Sequence, residues 1–394
     1  MKKNLELKIF SAFYLIYFAA LGSFMPFINQ YLLVNIGLSG KQLGTFTFIT
    51  LILSVFIAPL WGIFGDKAKK YKLLLLISIG GSIIAAFNYS LRTGYLAVCI
   101  SGIILEICRS GSIPMSDVQT INYTTKNNKN FGSIRSMGSL GFVLGSLAVG
   151  RFIQGNNYSP IFTIYIVLLF LAFLIAFGFP KTEIKNSSKQ IKEKGKSNFK
   201  EVLSNKKFLF IAMVSLMTSV LMNSANGFVA NFITTELSGP ANSASMFTLV
   251  TALPEILLLS IIGKLFLKYG YKKIYMLNAF VLIIRYLVYA FTSSYILILL
   301  ISLVHCITVA CSAVGNLSYL KHSVNENSYA TAVTLNTATI SIGNGIYSLI
   351  FGNMLDLFGS RSIFMATAVI MVFGLIFISK SKYFNDIDNE IMLK

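Results

Sequence analysis

Twelve apolar stretches fill most of this chain, at 9–33, 42–64, 73–91, 95–120, 134–154, 160–179, 208–236, 243–267, 274–292, 295–319, 329–357 and 361–379. A helix needs about 20 such residues to cross a bilayer core about 30 Å thick. Lipid offers no partners to unpaired backbone groups, so short lipid-facing strands are excluded and helices remain. Of the 394 residues, 55% are hydrophobic and 12% charged, against about 25% charged in a soluble domain. The expected fold is an all-α membrane protein with twelve transmembrane helices.

The net charge of +19 does not mark a nucleic-acid binder. The lysines fall in short gaps between apolar stretches rather than on one soluble face. Lys2, Lys3, Lys8, Lys67, Lys69, Lys70, Lys72, Lys126, Lys129, Lys268, Lys272, Lys273, Lys321, Lys380, Lys382 and Lys394 all lie at the termini or in the even-to-odd loops. The opposite loops carry little beyond Lys41, Arg92 and Arg361. Cytoplasmic loops are the ones enriched in Lys and Arg, so both termini are expected in the cytoplasm. The apolar segment after Lys8 is too long for a signal peptide and is expected to be the first span. Cys99, Cys108, Cys306 and Cys311 lie in apolar segments without a CxxC or metal-ligand spacing, so neither disulfide, metal nor cofactor is expected.

The longest polar gap, 180–207, divides the spans six and six. The expected organisation is a six-helix bundle over 1–180, a lysine-rich cytoplasmic linker over 181–207, a second six-helix bundle over 208–380 and a tail over 381–394. The linker's charge suits an anionic leaflet.

Seven ionisable residues lie inside the apolar stretches: Glu106, Arg109, Asp117, Arg135, Glu255, Arg285 and His305. A charge at the bilayer centre costs about 2.5–3.5 kcal/mol on insertion scales, so six unpaired charges would cost about 15–20 kcal/mol. Such residues must face a wet cavity, pair with one another or meet a polar ligand. Glu106 and Arg109 are three apart on one helix and can neutralise each other. Otherwise Arg109 is free to hold an anionic solute.

A weak repeat relates the halves. Trp61-Gly62-Ile63-Phe64-Gly65-Asp66-Lys67 is echoed by Gly263-Lys264-Leu265-Phe266-Leu267-Lys268, and Gly150-Arg151-Phe152 by Gly352-Asn353-Met354. Gly62 and Gly65 are expected to let helices approach closely, and Asp66 to meet a helix N-terminus or a cation. The second copy has Leu267 in place of Asp66, so it is expected to be less tightly held. This loop resembles the signature loop of the major facilitator superfamily. The resemblance implies two pseudo-symmetric six-helix bundles, a substrate site between them near the midplane, and a gating role for Gly62, Gly65 and Asp66.

Further residues narrow the resemblance. Phe131-Gly132-x-x-Arg135-x-x-Gly138-x-x-Gly141, with Asp117 lying 18 residues before Arg135, is similar to the oligosaccharide:proton symporter group, that of the lactose permease. Pro26-Phe27, Pro59-Leu60-Trp61-Gly62 and Thr251-Ala252-Leu253-Pro254-Glu255 resemble it too. The likeness implies that Asp117, Arg135, Glu255 and Asn226 contact a sugar. Phe142 stands where the family stacks a tryptophan, and a phenylalanine stacks without offering an N–H. Glu255, Arg285 and His305, the last 20 residues after Arg285, are implied in proton coupling, with the proton gradient as energy source.

The departures bear on mechanism. The family has a carboxylate three residues after its histidine, where this chain has Thr308. One family charge pair becomes Asn226 facing Ser302, another Asn223 and Ile340, neutral on both sides. If coupling survives, Glu255, Glu106 or Asp117 must carry the proton, which burial favours. The expectation is a sugar permease working by alternating access on a small-molecule substrate. It is expected to be a non-enzymatic monomer in the cell membrane of a bacterium. An aromatic-acid or nucleoside permease, and a membrane sensor without transport, remain open.

Overall fold

The computed structural model describes residues 2–155, 157–180, 199–325, 328–385 and 388. Twelve membrane-length helices run through them: α1 (Glu6–Asn35), α2 (Gly40–Ala68), α3 (Tyr71–Ser90), α4 (Tyr95–Lys126), α5 (Phe131–Gly150), α6 (Pro160–Phe177), α7 (Lys206–Thr235), α8 (Ser243–Tyr269), α9 (Tyr271–Phe291), α10 (Tyr295–Ser323), α11 (Tyr329–Phe358) and α12 (Ser360–Lys380). Each matches one expected span. Among the described residues, nine are long and apolar enough to cross a membrane by those criteria alone, and none forms a named strand.

Local chemistry sets the helix ends. The Ser39 hydroxyl accepts from Gln42 N at 3.2 Å, and the Gln42 side chain accepts from Ser39 N at 3.0 Å, a reciprocal cap that starts α2. Asn205 caps α7 by accepting from Lys207 N and Phe208 N. Pro160 opens α6, where its missing N–H is not needed. Several helices are interrupted. The chain turns at Met25–Phe27 in α1 and at Ser110–Gly111 in α4. It widens by one residue per turn at Leu216–Val220 and Cys311–Gly315, and tightens at Ser302–Val304.

The helices divide into two compact units. The first holds α1–α6 together with Pro240–Thr248, and the second holds the remainder of α7–α12. Ser245 in that short segment donates to Ser146 O at 2.9 Å. In the first unit α1 packs on α5 and α6, and α3 on α4 and α6. The α1–α5 contact depends on glycine. A methyl group at Gly22 would strike Phe142 O, at Gly141 Leu15 O, and at Gly145 Ala19 O. The small-residue face thus lets two backbones touch.

In the second unit α9 packs on α12 and α7 on α11. Its core joins Phe210, Tyr271, Tyr275, Tyr319 and Phe384. This changes two expected boundaries. Phe384 is fully buried, so the second unit continues past 380 into the expected tail. Phe199–Ser204 is a short helix with Val202 in the same core, because its apolar face finds that unit. Residues 181–198 of the expected linker lie outside the described residues.

The repeat is visible in bonds. Tyr71 donates to Asp66 at 2.6 Å, and Lys72 Nζ donates to Phe177 O and Phe179 O, closing the end of α6. Tyr271 donates to Ser318 at 2.6 Å, and Lys272 Nζ donates to Ser381 O beyond α12.

Candidate functional site

In the first unit, Asp117 on α4 and Arg135 on α5 meet around two aromatic residues of α1. Tyr14 and Phe18 are four apart and share one helical face. The Tyr14 hydroxyl donates to Asp117. The Arg135 guanidinium lies over the Phe18 ring at 4.2 Å and near the Tyr14 ring at 5.8 Å. Such stacking is worth about 0.5–2 kcal/mol. No ion pair joins Asp117 to Arg135 among the described residues, nor does any hydrogen bond there occupy the Arg135 N–H groups. Both side chains, and Phe18, are half-buried. The arrangement therefore offers a fork of donors, an open carboxylate oxygen and aromatic faces to one solute. Phe142 lies two turns from Arg135 on α5 and is also half-buried. The glycine contact between α1 and α5 sets this geometry, since Gly138 faces Phe18 beside Arg135.

Glu106 and Arg109 form a separate cluster on α4. Arg109 donates to Glu106 Oε2 through Nη2 and, at 3.2 Å, through Nε. The side chains are 16% and 19% exposed. The three-residue spacing thus produces an internal ion pair, which neutralises Arg109.

In the second unit, Arg285 on α9 is fully buried. It donates to Tyr289 Oη at 2.9 Å, to His305 Nδ1 at 3.2 Å and to Asn226 Oδ1 at 3.1 Å. Its guanidinium also lies 5.4 and 5.2 Å from the Tyr286 and Tyr289 rings. The directions follow from donor chemistry. Arginine has no acceptor, so His305 Nδ1 must accept, and the imidazole is neutral with its proton on Nε2. Ser302 donates to Ile298 O at 2.5 Å, so Tyr289, which accepts from Arg285, donates to Ser302. Asn226 was expected to face Ser302. No hydrogen bond joins them among the described residues: Asn226 accepts from Arg285, and Ser302 bonds to Tyr289, which itself accepts from Arg285. Thr308 donates to Asn278 Oδ1 at 2.6 Å inside the bundle, so the position of the missing carboxylate is a neutral internal bond. Glu255 follows Pro254 inside α8 and is half-buried. It forms no hydrogen bond or ion pair with the described residues and lies within electrostatic reach of Cys306, next to His305.

The signature loop behaves as expected at Gly65 and not at Gly62. A Cβ at Gly65 would come 2.8 Å from the Tyr71 ring, whereas at Gly62 it would meet nothing within 4 Å. Only Gly65 has a neighbour close enough to require the missing side chain. In the second copy, where Leu267 replaces the aspartate, a carboxylate arrives from elsewhere in the chain. Asp388 accepts from Tyr271 N at 2.6 Å and from Lys272 N at 3.2 Å. A carboxylate from beyond α12 therefore holds the start of α9, where negative charge is favoured.

Tyr14, Phe18 and Asp388 escaped the sequence reading. Tyr14 and Phe18 lie on a span that also carries Phe10, Phe13, Tyr17 and Phe24, so aromatic spacing alone does not single them out. Among the described residues no group of three His, Cys, Asp or Glu side chains gathers to hold a metal.

Residues 7–366 match the MFS_1 like family. The chain is 27% identical to the uncharacterized transporter YwbF of Bacillus subtilis (strain 168), over 93% of this chain and 90% of that one. It is 24% identical to the maltose permease of Geobacillus stearothermophilus, over 93% and 92%. Its fold is similar to the crystal structure of the nucleoside transporter NupG, with TM-score 0.82, 17% identity and coverage of 97% and 100%.

Proposed function

We propose, from the premise that the chain belongs to the MFS_1 like family of the major facilitator superfamily, that this membrane transporter carries a neutral sugar by alternating access. The observation that carries the reading is the Arg135–Asp117 cluster. A sugar presents hydroxyls that both donate and accept, and a C–H face that packs on a ring. Arg135 supplies unbonded donors, Asp117 an acceptor, and Phe18 with Phe142 the aromatic surface. One cation and one anion sum to no net charge, which suits a neutral solute. Similarity to a maltose permease over most of the chain supports the same substrate class. The ion pair with Glu106 removes the motive for assigning Arg109 to an aromatic acid.

Proton coupling falls to Glu255. Glu106 is ion-paired, Asp117 already accepts from Tyr14, and Thr308 cannot carry a proton in the missing carboxylate's place. The unbonded Glu255 can gain or lose a proton without breaking an internal bond. His305 serves as an acceptor for Arg285 and is a positioning residue in this state. The lysine distribution supports a cell-membrane protein with both termini on the cytoplasmic side.

The test is uptake of labelled mono- and disaccharides into proteoliposomes, with and without an inward proton gradient, beside phenylpropionate as the acid control. Gradient-driven accumulation of a sugar is expected. Sugar binding without flux in either direction would mark a sensor, and flux of the acid alone would refute the sugar assignment.

A further inference from the structure

A groove of about 640 Å³ opens on the first unit between α3 and α4. Ile84, Ala85, Ile100 and Ile104 form its apolar wall. Ile84 is 72% exposed and Ile100 58%, and both helices have the length and composition of membrane spans. The groove therefore faces the hydrocarbon.

Its polar end has a different character. Arg92, just past the end of α3, donates from Nε to Asn88 Oδ1 at 3.1 Å, and Ser101 donates to the same oxygen at 3.1 Å. Asn88 thus orients the guanidinium along one edge. The two terminal nitrogens of Arg92 carry no bond within the described residues. The groove reaches down to Gly81 and Cys108. From Gly81 to Ser90 the helix rises about 14 Å, close to the depth of one leaflet, about half of a 30 Å hydrocarbon core. An apolar trough one leaflet deep, with a cation at its headgroup end, has the dimensions and polarity of one acyl chain below one phosphate. Arginine recognises phosphate through paired N–H donors.

We propose that this groove binds a single anionic phospholipid, its phosphate on Arg92 and one acyl chain between α3 and α4. Among the described residues, no carboxylate lines the groove to receive an ammonium headgroup. Phosphatidylglycerol is therefore preferred to phosphatidylethanolamine or phosphatidylcholine.

The test uses the full-length protein, delipidated in detergent, with thermal shift and native mass spectrometry. Phosphatidylglycerol should raise the melting temperature more than phosphatidylcholine of the same chains, and should remain bound as one retained molecule. Arg92→Gln should reduce the response to that of phosphatidylcholine, and Arg92→Lys should retain part of the preference. Ile100→Trp, which fills the trough, should remove the retained lipid. A variant that fails to fold leaves the wild-type comparison decisive. Equal responses of the wild type to the two lipids would overturn the proposal. So would a preference that survives both Arg92→Gln and Ile100→Trp, or a response to glycerol phosphate as large as that to the lipid.

Discussion

Replacing Asp388 by Ala should loosen the start of α9. The carboxylate accepts from two of the backbone N–H groups that no intrahelical carbonyl serves, at 2.6 and 3.2 Å. Losing a side-chain cap costs about 1 kcal/mol, and losing the negative charge at a helix N-terminus costs a further 0.3–1 kcal/mol or so. The expected local loss is thus about 1.3–2 kcal/mol. Amide exchange reads it directly. If the first turn of α9 opens locally, protection at Tyr271 and Lys272 should fall by about ten- to thirtyfold, at a factor of ten per 1.4 kcal/mol. Protection in the middle of α9, around Leu282, should be unchanged because the packing on α12 stays. Asp66→Asn at the first copy is the control. It disturbs the Tyr71 hydroxyl bond and should leave α9 untouched. Unaltered protection at Tyr271 in Asp388→Ala would refute the capping role. A uniform loss across α9 would show that Asp388 supports the fold rather than this helix end.

Glu255→Gln should abolish proton-driven sugar accumulation while preserving equilibrium exchange of sugar, read as counterflow without a gradient; full accumulation would exclude Glu255 as the carrier. His305→Gln keeps an acceptor for Arg285 and should retain most of the accumulation and its pH profile, whereas loss of gradient dependence would return the coupling role to His305. Gly141→Val sets a branched side chain against Leu15 O. It should force α1 from α5, lower thermal stability by about 1–3 kcal/mol equivalent and weaken sugar binding, since Tyr14 and Phe18 ride on α1.

The sequence disclosed the helices well because hydrocarbon imposes one rule on every span, a run of about 20 apolar residues. It also placed Asp117 and Arg135 on adjoining helices, since 18 residues suffice for a turn and return. What lay between them was not legible. Tyr14 receives no mark in the sequence that distinguishes it from Tyr17, and only packing decides which hydroxyl meets Asp117. In the second unit, substituting neutral residues for a family pair implied Asn226 against Ser302. Arg285 and Tyr289 take up the two side chains instead, one with Asn226 and the other with Ser302, an outcome of packing rather than of pattern. Gly62 and Gly65 read alike as small residues, yet only the latter meets a neighbour. Asp388 was hidden for another reason. It reaches the start of α9 from a polar segment more than a hundred residues later in the chain, and no local spacing connects the two.

The central claim is that Arg135 and Asp117 receive a neutral sugar, and affinity in purified protein tests it most directly. A charge-assisted hydrogen bond contributes about 1.5–3 kcal/mol, so losing one weakens binding by about ten- to a hundredfold. Thermal-shift titration should therefore find a neutral sugar that stabilises the wild type and the Arg109→Gln variant alike, with at least tenfold weaker binding to Arg135→Gln. Equal affinity in Arg135→Gln, or stabilisation by carboxylates alone, would contradict the account.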